Sequence, residues 1–341
     1  MNDTLSDHGH AAGMSSSAFA VKTIGKATVT SPLANVHFVD DQQRIPFSAD
    51  IDTLKEQLSG GNGIPSFELA GPRRTLYFDP AWTRAAIVTC GGLCPGLNDV
   101  IKALVNTLYY YYGVDNIYGI RYGLRGLVAE SGLSPLMLNP DLVDTIHENG
   151  GSILGSSRGR QPPSDIAKTL DRMNINILFC IGGDGTMRAA AAIHAEVTRR
   201  GLPVAVVGVP KTIDNDIRFL DRTFGFETAV YAAAPVISCA HNEAKGTENG
   251  IGLVKLMGRD SGFIAAYATL ANSVVNFCLV PEVPFELEGQ DGLLAALKRR
   301  LQAKAHAVIV VAEGAGQTLF DAASRDRDES GNVKPLDVGA Y

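Results

Sequence analysis

From residue 84 onward the chain alternates short apolar runs with amphipathic stretches of helical length. Ala85–Cys90 reads as a buried strand, followed by a glycine-rich turn and a helix from Asn98 to about Tyr112. Ile177–Ile181 is the next strand and Thr186–Arg199 the next helix. Leu202–Val209, Gly252–Leu256, Phe277–Val280 and Ala307–Ala312 continue the strand series. Between them lie helical stretches at about Glu227–Asn242, Ser261–Ala271 and a charged one at about Asp291–Ala303. Short strands separated by helices predict an α/β protein with doubly wound parallel sheets. Gly, Asp, Arg and Glu recur just past one apolar run after another, the end at which such sheets bind ligands.

The first 82 residues follow a different pattern. Met1–Ala20 is polar and aperiodic, the composition of a disordered segment. Val21–Thr30 alternates loosely like a strand, and Asp50–Leu58 reads as a short helix stopped by Gly60 and Gly61. Residues 1–82 are therefore an extension, partly disordered, that packs on the main body. The body divides into residues 83–218 and 219–341.

Composition narrows the partners. The 341 residues are 45% hydrophobic and 19% charged, with a net charge of −6. No run of Lys or Arg exceeds a solvated helix face, so nucleic acid is not an expected partner. The five cysteines are scattered and fit neither a disulfide framework nor paired zinc ligands, which points to a reducing cytoplasm. No apolar stretch reaches the ~18 residues of a membrane span, and the N-terminus lacks an apolar signal core. The seven histidines show no metal-ligand spacing and stand beside no serine nucleophile, so they read as structural or surface residues.

Three motifs carry the chemistry. Gly91-Gly92-Leu93-Cys94-Pro95-Gly96 is a strand–glycine turn–helix junction that lets backbone approach a ligand. It matches neither the dinucleotide fingerprint nor the lysine-bearing phosphate loop. Gly182-Gly183-Asp184-Gly185-Thr186 follows a strand and opens a helix. An N-cap would account for Asp184 but not for the glycines around it. A hard cation held by Asp184 and space for a polyphosphate at Gly185 account for both. Pro210-Lys211-Thr212-Ile213-Asp214-Asn215-Asp216 places two carboxylates two residues apart in an irregular loop. One can accept a proton from an attacking hydroxyl while the other influences a metal.

In this order, and with Gly155-Ser156-Ser157-Arg158, Met257-Gly258-Arg259 and Ala312-Glu313-Gly314, these motifs resemble the phosphofructokinase family across about residues 84–316. Details around Lys211 and Lys255–Gly262 are similar to the subgroup with long N-terminal extensions found in plants, trypanosomatids and some bacteria. The resemblance implies a cytoplasmic, Mg²⁺-dependent glycolytic kinase that moves the γ-phosphate of ATP to the 1-hydroxyl of fructose 6-phosphate. It implies a homotetramer as well. Asp214 would be the base, Thr212 would contact the transferring phosphate, and Arg158 would neutralise nucleotide phosphates. Gly91, Gly183, Gly185 and Thr186 would line the donor site, and Asp184 would bind Mg²⁺ with indirect help from Asp216. Met257, Gly258, Arg259 and Glu313, with Thr212, Asp214 and Asp216, would hold the sugar phosphate.

The chain also departs from the family. An arginine that reaches the sugar phosphate from a neighbouring subunit in shorter bacterial enzymes aligns with Gly250, leaving Lys255 or Lys211 as substitutes. The aromatic contact to adenine aligns with Leu124, leaving Arg121 or Tyr122. The family continues past the position of Tyr341, so the resemblance implies a truncated C-terminus, an incomplete second domain and uncovered apolar surface on it. Pyrophosphate as donor, an inactive or regulatory fragment, and the NAD and lipid kinases that share Gly-Gly-Asp-Gly-Thr stand as alternatives. Those last two do not resemble the chain at Thr212–Asp216 or Met257–Arg259.

Overall fold

The computed structural model describes residues 19–59, 63–320, 326, 334, 336 and 337, so the expected disorder of residues 1–20 lies almost wholly outside the described residues. Contacts divide the chain into two compact units. One comprises residues 1–93 and 97–209, the other residues 94–96 and 210–341.

The first unit opens with short antiparallel pairs. β1 (Val29–Thr30), β2 (Arg44–Pro46), a helix α1 (Ile51–Ser59), β3 (Ser66–Glu68) and β4 (Thr75–Leu76) come in that order. β1 pairs with β4 and β2 with β3. The strand expected over Val21–Thr30 is thus confined to two residues, because its partner offers no more.

The main sheet of this unit is built from β5 (Arg84–Thr89), β6 (Asn116–Ile120), β7 (Leu136–Leu138), β8 (Ile177–Gly182) and β9 (Ala205–Pro210), in the order β7-β6-β5-β8-β9. β5 sits at its centre, parallel to both neighbours, with Ala85 level with Ile117 on one side and Ile177 on the other. Ala85, Ala86, Ile87 and Val88 are fully buried. Burial on both faces of a parallel sheet is the reason the strand reads as an unbroken apolar run. One feature departs from the all-parallel expectation: β7 runs antiparallel to β6 at the edge.

Helices cover the sheet. α2 (Leu97–Asn106) continues into a wider turn at Thr107–Tyr111, and a one-turn helix α3 (Pro140–Val143) is capped by Asn139. α4 (Pro163–Arg172) buries Ile166, Ala167 and Leu170, while α5 (Asp184–Arg199) buries Ala190, Ile193 and Val197 at helical spacing. These side chains join Val88, Ile120, Leu178 and Cys180 in one core.

In the second unit α6 (Phe226–Lys245) precedes β10 (Gly250–Leu256), α7 (Phe263–Ala271), β11 (Phe277–Leu279), α8 (Leu293–Lys304) and β12 (His306–Ala312). The three strands are parallel in the order β10-β12-β11. Ala233 and Ile237 of α6 and Ala265 and Ala268 of α7 pack on Val254, Val308 and Val310. At the β10 edge Gly252 and Val254 face this core, while Ile251 and Leu253 on the other side are about half exposed. Among the described residues no helix is long and apolar enough to cross a membrane.

Candidate active site

Each unit gathers its own part of the expected site. In the first, the last residue of β5 organises the loop that follows β7 and its helical turns. The buried Thr89 hydroxyl donates to the Gly155 carbonyl (2.6 Å) and lies 2.8 Å from the Ser152 hydroxyl. Past the strand end, the Gly91 N–H donates to the Ser157 carbonyl (3.1 Å), and the Ser156 hydroxyl donates to the Gly91 carbonyl (2.6 Å). Both backbone polar groups of Gly91 are thereby tied to residues 156–157, the pair just before Arg158. The structure so brings Gly91 and Arg158 together. A side chain added at Gly92 would begin 3.6 Å from an Arg158 Nη atom.

The second glycine motif sits where β8 meets α5. Gly183 caps the helix, Asp184 is its first residue, and Asp184 and Gly185 are both exposed. The first turn of a helix leaves N–H groups without intrahelical acceptors and a positive dipole end, which suits anionic oxygens. Among the described residues, no atom outside its own helix turn lies within 4 Å of where a Cβ on Gly185 would stand. Thr186 is instead buried, packed against the backbone of Gly182. Leu124 belongs to the hydrophobic core, whereas Arg121 lies over the Tyr122 ring at 5.2 Å and both of those residues are exposed.

The second unit holds the Pro210–Asp216 loop. Asp214 donates its N–H to the Thr212 hydroxyl (3.0 Å) and accepts at its carbonyl from the Ser261 hydroxyl (2.6 Å). Burial pushes the Asp214 carboxyl up to about 6, and the negative charges of Asp216 and Glu313 push the same way. Arg259 opposes them, and Asp260 adds a smaller upward push. The structure therefore brings Asp214, Asp216, Arg259 and Glu313 into one electrostatic neighbourhood.

Two glycines permit the close backbone packing behind Arg259 and Glu313. Gly258 adopts φ 134°, and the Gly314 N–H donates to its carbonyl (3.0 Å). A Cβ on Gly314 would fall 1.6 Å from the Arg259 carbonyl oxygen, so any side chain there would force the two loops apart. Met257 is 58% exposed beside this junction. Of the two lysines considered as substitutes, Lys255 is paired with Asp337 (2.6 Å) and Lys211 is buried.

Cys94, from the first glycine motif, packs within this unit. Its buried Sγ–H donates to the Phe224 carbonyl (3.2 Å), and burial pushes the thiol up to about 11. The sequence reading gave no role to Cys94, Ser156, Asn215 or Ser261. Their partners lie up to 130 residues away in the chain, beyond what local spacing reveals.

The phosphofructokinase profile matches residues 84–333. The chain belongs to the phosphofructokinase family. It is 48% identical to the ATP-dependent 6-phosphofructokinase of Borreliella burgdorferi over 95% of this chain and 74% of that protein. It is equally similar, at 48%, to the ATP-dependent 6-phosphofructokinase of Amycolatopsis methanolica, over 94% of this chain and 72% of that one. Among solved structures it is similar to the pyrophosphate-dependent phosphofructokinase of Marinobacter aquaeolei. There the TM-score is 0.60 at 24% identity, over 68% of this chain and 61% of the other, a likeness of fold. The phosphofructokinase fold thus accounts for the two parallel α/β units.

Proposed function

We propose that the chain is an ATP-dependent 6-phosphofructokinase that transfers the γ-phosphate of ATP to the 1-hydroxyl of fructose 6-phosphate. The observation that carries this reading is Asp214. A carboxyl lifted to about 6 is ionised at neutral pH, yet basic enough to take a proton from an alcohol as it attacks. Its neighbours suit a sugar phosphate as acceptor: Arg259 supplies positive charge and Glu313 can accept from a sugar hydroxyl. Met257 offers apolar surface to the sugar, and Thr212 stands next to the base to meet the moving phosphoryl group.

Donor phosphates are assigned to the first unit. Arg158 beside the Gly91 turn offsets their charge, and the N–H groups at the start of α5, near Gly183 and Gly185, meet their oxygens. The buried Thr186 supports that turn. Asp184 fits Mg²⁺: an exposed hard carboxylate with free space beside it is what this ion uses when phosphates and water fill its other positions. When bound, the ion neutralises charge on the phosphate oxygens. Within the second unit the charge of Asp216 acts on Asp214, raising its proton affinity. The open position at Gly185 favours a nucleotide over pyrophosphate, since it adds neither bulk nor charge near the α-phosphate. The exposed Arg121–Tyr122 stack is the candidate face for adenine. A cytoplasmic homo-oligomer belongs to the same proposal.

Steady-state turnover with each donor tests the reading. The expected outcome is a higher kcat/KM with ATP than with pyrophosphate when fructose 6-phosphate and Mg²⁺ are present. Faster turnover with pyrophosphate overturns the donor, and absence of transfer from either overturns the enzyme.

A further inference from the structure

We infer that Asn215 and Ser261 are positioning residues that aim the Asp214 carboxylate, an inference that rests on the kinase reading above. Among the described residues no hydrogen bond reaches the Asp214 carboxylate; both bonds at this residue use its backbone. A proton acceptor benefits from that arrangement, because a side chain already bonded would be a weaker and less available base. Its direction must then be set by the peptide groups on either side.

Asn215 sets one side. It is buried at 9% exposure and holds a left-handed backbone, φ 56°, a conformation open to Asn but costly for most side chains. Its carboxamide is bonded at both ends. Oδ1 accepts from the Thr223 N–H (2.8 Å) and hydroxyl (3.3 Å), and Nδ2 donates to the Asp221 carbonyl (3.2 Å). An amide supplies the acceptor and the donor from one planar group. An Asp here could not donate to Asp221 and would add a third carboxylate between two others. A Gly would keep the backbone but lose the anchor.

Ser261 sets the other side. It is also buried, and its hydroxyl grips the carbonyl of Asp214 itself. It stands two residues after Arg259, and its own carbonyl lies against Gly258. The base and the loop that carries Arg259 are thus fixed to each other through one hydroxyl.

Asn215→Gly, Asn215→Asp and Ser261→Ala test the inference on the full chain. A displaced base slows the chemical step more than binding, and a misplacement near 1 Å costs on the order of 10²-fold. The expected result is a kcat lower by about 10- to 100-fold in each variant, with KM for both substrates within about threefold. The double variant Asn215→Gly/Ser261→Ala should lose less than the product of the single losses, because both act on one group. Amide exchange gives a readout without turnover. The Asp214 N–H keeps its own partner, Thr212, in every variant, so faster exchange at that amide, with an unchanged melting temperature, reports loosened positioning. Turnover within about twofold of the parent, or unchanged exchange at Asp214, overturns the inference. A parent chain inactive with both donors sinks the kinase reading instead, and the exchange comparison alone then decides the positioning.

Discussion

Two aspartates, one in each unit, each come after a β-strand yet are held in opposite ways. Asp184 opens a 16-residue helix, stands exposed between glycines, and takes its place from the start of that helix. Asp214 lies in a loop without regular structure. It is half-buried, gripped at its N–H and its carbonyl, and followed by a left-handed residue that is itself anchored. A carboxylate meant to meet a hydrated cation needs access more than it needs a raised proton affinity. One meant to take a proton needs partial burial and a fixed direction. In the proposed reading the same side chain would serve two ends, because its surroundings differ.

The comparison breaks first at the base. Asp214→Asn removes the proton acceptor while nearly keeping size, so kcat should fall on the order of 10²- to 10⁴-fold with little change in KM. Near-normal turnover would remove Asp214 from the chemistry. At the other pole, Gly185→Asp fills open space with negative charge. Like charges in contact cost up to several kcal/mol, less where solvent screens them, so kcat/KM for ATP should drop about 10- to 100-fold. Pyrophosphate, which has no α-phosphate, should be affected less. Equal losses with both donors would show that Gly185 does not distinguish them.

A smaller effect sharpens the contrast. Asp214 must be ionised to act, so kcat/KM should fall as the pH drops below about 6. Asp216→Asn removes one of the charges that raises the Asp214 carboxyl, which moves this acid limb to lower pH. Glu313, Arg259 and Asp260 also face the group and stay in place. An unmoved limb in the Asp216 variant would mean that another group sets it.

The main strands were legible because burial on both faces makes them unbroken apolar runs, as at Ala85–Thr89 and Ala307–Ala312. Their ends were less so. β9 starts at Ala205, not Leu202, because Leu202 donates its N–H back to Val197 to close α5. α7 starts at Phe263, not Ser261, because the Ser261 hydroxyl holds Asp214 and the Gly262 N–H holds Glu282. β6, β7 and α4 escaped the reading, two being short strands and the third mostly polar. At the site, motifs pointed to Asp184 and Asp214 as residues but not to what holds them. Asn215 reaches 8 residues along the chain and Ser261 reaches back 47, distances over which a linear pattern carries no geometry.

The raised thiol of Cys94 has a practical corollary for chemical labelling. At pH 7 roughly one molecule in ten thousand carries it as the nucleophilic thiolate, and its sulfur is buried besides. Cys239 on α6 is the exposed cysteine of the five. A maleimide dye should therefore attach at Cys239 and leave the Cys94 turn untouched, giving an optical reporter on the second unit without any engineered cysteine.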